Sequence, residues 1–115
     1  MTNKIIDIGV LTELKSTTGR AFVADLLDTF IEETPGILAT LRAARAAGDE
    51  AKFRRAAHSL KSNASTFGAT RLAALARALE LKGLDADPQC DAALLSALEA
   101  EHAAAAAALK AVRND

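Results

Sequence analysis

The chain has 115 residues, half of them hydrophobic, which fits one small domain around one core. Its aromatic content is four Phe with no Trp or Tyr, and much of the apolar content is Ala and Leu, a mix that favours helices over sheets and leaves little for stacking on nucleic-acid bases. With 14 basic and 15 acidic residues the net charge is −1, so no global field draws the chain to nucleic acid or an anionic membrane.

Cys90 is the single cysteine, which rules out an internal disulfide and a cysteine metal cluster and fits a reducing cytoplasm. The segment after Met1 is too short and too interrupted by Asp7 and Gly9 for a signal peptide. No apolar run approaches the ~20 residues of a membrane span.

Ile5 to Leu14 reads as a short helix, with Ile6, Val10 and Leu14 at helical spacing. Ser16-Thr17-Thr18-Gly19 reads as a break with N-cap candidates. From Arg20, an apolar stripe of Phe22, Val23, Leu26, Leu27, Phe30 and Ile31 predicts a helix. Pro35 lacks a backbone N–H, so a kink or break is expected there before Ile37, Leu38 and Leu41 resume the period, as one long kinked helix or as two helices end to end. Gly48 suits a left-handed helix end and Asp49 the next N-cap. Asp49 to about Phe67 is the next helix, its buried stripe Phe53, Ala57, Leu60, Ala64 and Phe67. Gly68 ends it. Thr70 is placed to cap a helix with Leu72, Leu75, Ala76 and Leu79 inward. Lys82-Gly83 is a stop, and Leu84 to Asp87 a loop. Pro88 suits the first turn of a last helix reaching roughly Val112, through a six-alanine run at 103–108. Short connections between long amphipathic helices favour an all-α, antiparallel up-and-down four-helix bundle with a short N-terminal helix, one domain over 1–115.

The chemistry points to the Asp49–Phe67 helix. At 100° per residue His58 lies about 160° from Leu60 and so faces away from most of the apolar stripe. Around it fall Arg54, Arg55, Lys61, Ser62 and Ser65, a polar and net-basic face. A neutral imidazole is a good nucleophile near neutral pH, and a lysine one turn on can stabilise charge on a transferring phosphoryl group. From the wheel alone, an ordinary solvated histidine remains an open alternative. His102 has no second ligand at metal spacing and reads as solvent-facing. Glu32-Glu33 read as surface charges. No Gly-rich phosphate loop is present, so neither an ATP site nor independent kinase activity is expected. Val10, Leu11, Leu14 and Phe22 either complete the core or leave apolar surface near one end.

His58-Ser59-Leu60-Lys61-Ser62, followed by Gly68 ten residues after the histidine, Leu72, and Leu79-Glu80, closely resembles the signature of histidine-phosphotransfer (HPt) domains. Arg55-Ala56-Ala57 is similar to the family's lead-in. The resemblance implies that His58 accepts a phosphoryl group from the aspartyl phosphate of one receiver domain and passes it to another, with Lys61 supporting the phosphoryl oxygens. It implies no cofactor of the chain's own, magnesium belonging to the receiver partner. Response-regulator receiver domains and a hybrid histidine kinase are the expected partners. Arg54, Arg55, Ser62, Ser65 and Gly68 are the expected receiver-docking face. For Glu80 a packing or salt-bridge role is expected rather than chemistry. The family's usual glycine four residues after the histidine is Ser62 here, which bears on access to the ring. An interaction module that keeps the HPt bundle without being phosphorylated is the alternative reading.

Overall fold

The computed structural model describes residues 5–113; the outermost ends of the predicted domain, 1–4 and 114–115, lie outside the described residues. The described residues form five α-helices and no strand: α1 (Ile8–Thr18), α2 (Arg20–Ala47), α3 (Glu50–Thr66), α4 (Thr70–Lys82) and α5 (Pro88–Val112). α3 packs between α2 and α4, α5 packs on both α4 and α2, and α1 lies against α2. One shared core results, centred on Leu27, Leu41, Phe53, Leu60, Leu72, Leu98 and Leu109, each fully buried.

The helix ends follow local chemistry. Asp49 Oδ1 accepts from Lys52 N (3.0 Å) and starts α3; Asp87 Oδ1 accepts from Gln89 N (3.0 Å) and starts α5. Gly48 closes α2 in the left-handed region at φ 68°. Asp7 caps α1 through Gly9 N (3.0 Å), so α1 begins three residues later than its apolar spacing predicts.

Two expectations are corrected and one open alternative is decided. Ser16, Thr17 and Thr18 continue α1 rather than breaking it, because the Thr17 and Thr18 hydroxyls donate back to the Glu13 and Leu14 carbonyls (3.0 and 2.8 Å). The break allowed for at Pro35 is absent: α2 is one long helix through that exposed proline, the first of the two arrangements its sequence leaves open. A proline inside a helix, through its missing N–H and the clash of its ring with the carbonyl four residues back, costs about 3 kcal/mol. The continuous burial of Phe30, Leu38 and Leu41 on either side offsets that cost. Buried Thr34 donates from its hydroxyl to Phe30 O (2.6 Å) one turn before the proline. Thr70 is the first residue of α4 rather than its cap; Ala69 holds the cap position, in a turn closed by Ala69 N to Ala64 O (2.9 Å) and Thr70 N to Gly68 O (2.9 Å).

α5 also revises the hydropathy reading. By length and composition, Gln89–Val112 is long and apolar enough to cross a membrane. Much of that apolarity is alanine. Leu95, Leu98, Ala105 and Leu109 are buried in the shared core, so the alanine run packs close on one side and is exposed at Ala103 and Ala107 on the other.

Candidate functional site

The stripe predicted to face inward on α3 does so: Phe53, Ala57, Leu60 and Ala64 are fully buried. Fixing that face turns His58 outward. Its side chain is 56% exposed, and Ser59, Ser62 and Ser65 are exposed beside it.

Glu80, on the facing side of α4, reaches the histidine. Its Oε2 lies 2.7 Å from His58 Nδ1 and its Oε1 lies 3.0 Å from Lys61 Nζ. One carboxylate therefore holds both residues of the candidate pair. The Lys61 ammonium, and then the His58 ring, hold the Glu80 carboxyl below its ordinary range. An ionised carboxylate only accepts hydrogen bonds, so Nδ1 carries the proton in this contact. The neutral ring then has its lone pair on Nε2. The arrangement presents a nucleophilic nitrogen on an open helix face, with an ammonium one turn away and a carboxylate behind the ring.

The other expected docking residues separate into two groups. Arg54 and Arg55 line a shallow hollow with His58, Ser59 and Glu80. Arg54 is also tied into the fold: it pairs with Glu50 (3.6 Å) and lies over Gly83, where an added Cβ would come within 2.6 Å of its guanidinium. Glu50 in turn accepts from Leu84 N (3.3 Å), fastening the start of α3 to the end of α4. Gly68 is buried, so it lies beneath any docking face rather than on it. It sits at φ 74° in the α3–α4 turn, and its carbonyl accepts from Asp7 N (2.6 Å). Its place in the motif is architectural: it seats the N-terminal segment on the turn.

His102 is half-buried rather than solvent-facing. Its ring meets Phe30 edge-on at 6.4 Å, and its Nε2 is buried with no hydrogen-bond partner among the described residues. Burial, assisted by the Lys110 charge, pushes its pKa down from 6.5. No group of three or more His, Cys, Asp or Glu among the described residues is placed to hold a metal.

Of the apolar candidates near α1, Leu11 is core, whereas Phe22 is 53% exposed. Two features went unnoticed in the sequence. Asp91 is fully buried. It accepts from Lys82 Nζ (3.0 Å) and Asp85 N (3.0 Å), and it lies 2.6 Å from Arg45 Nε, at an angle that makes an ion pair without a hydrogen bond. Arg77 lies one turn before Glu80 on the same side of α4. No local pattern signals either one, because each acquires its meaning from a partner helix.

A protein-family model described as Hpt domain matches residues 25–110. No curated protein sequence matches the chain. Among solved structures, the fold is similar to that of histidine-containing phosphotransfer protein B (HptB) from Pseudomonas aeruginosa PAO1. The TM-score is 0.82 at 31% sequence identity, covering 95% of this chain and 94% of that one. The family match spans the helix that carries His58 and the helix that carries Glu80, and on that basis the chain belongs to the Hpt domain family.

Proposed function

We propose that the protein is a covalent phosphocarrier in a phosphorelay, with His58 as the phosphoryl acceptor between receiver-domain aspartates. The observation that carries this reading is the exposed His58 ring with Nδ1 against Glu80 and Lys61 on the same carboxylate. In the forward step the Nε2 lone pair attacks the phosphorus of an aspartyl phosphate in line. The P–O bond to the receiver breaks, and the aspartate leaves as a carboxylate with the electron pair. The ring keeps its Nδ1 proton and becomes positive, and Glu80 is placed to stabilise that charge. Lys61 attends the phosphoryl oxygens, and Ser62 lies on the approach face. Onward transfer is the reverse reaction with a second receiver.

Magnesium is supplied by the receiver, and the chain acts without a cofactor or kinase activity of its own. We read α2–α5 as the antiparallel up-and-down four-helix bundle, within a single domain over 1–115 that works in the cytoplasm. A hybrid histidine kinase is a second partner.

The test is incubation with phosphorylated receiver domains and magnesium. Acid-labile, alkali-stable label is expected on the wild type and absent from His58→Gln. Lys61→Ala slows transfer with the fold intact, and Ser62→Gly retains it. Absence of label from every receiver of the source organism overturns the carrier reading in favour of a docking module.

A further inference from the structure

The cations around His58 are not equivalent. Lys61 is engaged by Glu80, and Arg54 by Glu50 and the Gly83 turn. Arg55, Lys52 and Arg77 are exposed and make no ion pair with any described residue. Elsewhere Arg42, Arg45, Arg71 and Arg113 each face a carboxylate, from Glu99, Asp91, Glu101 and Asp28 respectively. Two shallow hollows share Arg55 and Ser59 as their common wall. One holds His58 and Glu80; the other, on the α2 side, holds Lys52 and Thr40. Arg77 extends the positive surface onto α4. Around the histidine, five cations (Lys52, Arg54, Arg55, Lys61, Arg77) stand against three carboxylates (Asp49, Glu50, Glu80), a local excess of two positive charges in a chain of net charge −1.

We infer that this collar is a docking surface for a receiver domain whose phosphoryl site has an acidic rim, with Lys52, Arg55 and Arg77 as the steering and specificity-setting cations; the inference rests on the carrier reading above. The chemistry favours that partner. A site that holds magnesium beside an aspartyl phosphate is built from carboxylates, so its rim presents negative charge to the attacking histidine. Exposed like charges on one face raise encounter rates and reject partners of the same sign. They act over about 10 Å at 0.1 M salt, so the effect is removed by salt. Because the three side chains make no ion pair among the described residues, docking breaks none there.

The experiment measures phosphotransfer to the full chain from the receivers of the source organism, each phosphorylated with acetyl phosphate and magnesium. The fastest donor to wild type is then used with the triple variant Lys52→Gln, Arg55→Gln, Arg77→Gln and with Arg71→Gln as the remote control. At low salt the triple variant should lose about tenfold or more in the bimolecular rate. The gap should close at high salt, the rate at saturating donor should hold, and Arg71→Gln should match wild type. An unchanged low-salt rate, or a loss that persists at high salt or lies in the saturated step, overturns the docking inference while leaving the carrier reading in place. If no receiver labels wild-type His58, both fall together.

Discussion

Gly68 separates two meanings of a motif position, and Gly68→Ala tests which one applies. The glycine sits at φ 74°, where an L side chain costs about 1–2 kcal/mol. Its added Cβ would stand 2.6 Å from the Asp7 carbonyl oxygen and 3.1 Å from Val10 Cβ. The first neighbour is backbone, which cannot rotate away. Moving it also loosens the Asp7 N to Gly68 O hydrogen bond (2.6 Å), worth about 1 kcal/mol. The sum is a destabilisation of about 2–3 kcal/mol. For a domain of this size that is about 8–12 °C in Tm.

Thermal and urea unfolding followed by circular dichroism give the number, and hydrogen exchange locates it. Amides of α1 should lose protection before those of α3, because the clash is with the segment that leads into α1. Gly68→Asn isolates the causes: asparagine tolerates the left-handed region but carries the same Cβ. If the contact dominates, the two variants are destabilised alike; if backbone strain dominates, Asn recovers most of the loss. The folded fraction of either variant should still accept phosphoryl groups at the wild-type rate. A stable Gly68→Ala protein, shifted by less than about 0.5 kcal/mol but slow in transfer, would refute the architectural reading and return Gly68 to the docking face.

Three further outcomes follow from the geometry. Glu80→Ala should release the Nδ1 proton contact, seen by nitrogen NMR as a shift of neutral His58 toward the Nε2–H tautomer, and transfer should slow on the order of tenfold through loss of a charge-assisted hydrogen bond; an unchanged tautomer would remove Glu80 from the mechanism. Asp91→Asn leaves Lys82 and Arg45 without their buried counter-charge, and since both cations are partly exposed the cost should fall below the usual range for a broken buried pair, at about 2–3 kcal/mol by urea titration. His102 has its pKa pushed down by burial, so the unfolded chain binds its proton first as pH falls below 6.5. Stability should therefore decline with acid in the window just below 6.5, and in His102→Gln the unfolding midpoint should lose that portion of its pH slope.

What the sequence made legible was whatever depends on local period. The α3 stripe, the Asp49 cap and the Gly48 helix end all rest on contacts within one or two turns. Pro35 shows where local reasoning fails: its intrinsic cost is real, but apolar residues on both sides of it fill one core, and the helix continues. His102 fails for a different reason. Alanine fits buried and exposed positions equally, so an alanine-rich helix gives no marker of which face turns inward. Asp91 carries no local signal, because its partners Arg45 and Lys82 come from α2 and α4.

Glu80 joins these two kinds of information. The motif places it 22 residues after His58, and only the packing of α4 on α3 turns that spacing into a contact. The contact changes how Lys61 is to be understood. With the ring in its neutral form, one carboxylate and one ammonium leave the trio without net charge. In the mechanism proposed above, transfer puts a positive charge on the ring and brings an anionic phosphoryl group to its far side. Glu80 then has the ring to stabilise, and Lys61 has a stronger anion than the carboxylate it leaves. Lys61 sits in a partly exposed position, 28% accessible, from which that exchange needs only side-chain rotation. Paired with Glu80, the Lys61 charge is offset at rest, so the positive charge of this face that no carboxylate pairs with lies on Arg55, Lys52 and Arg77.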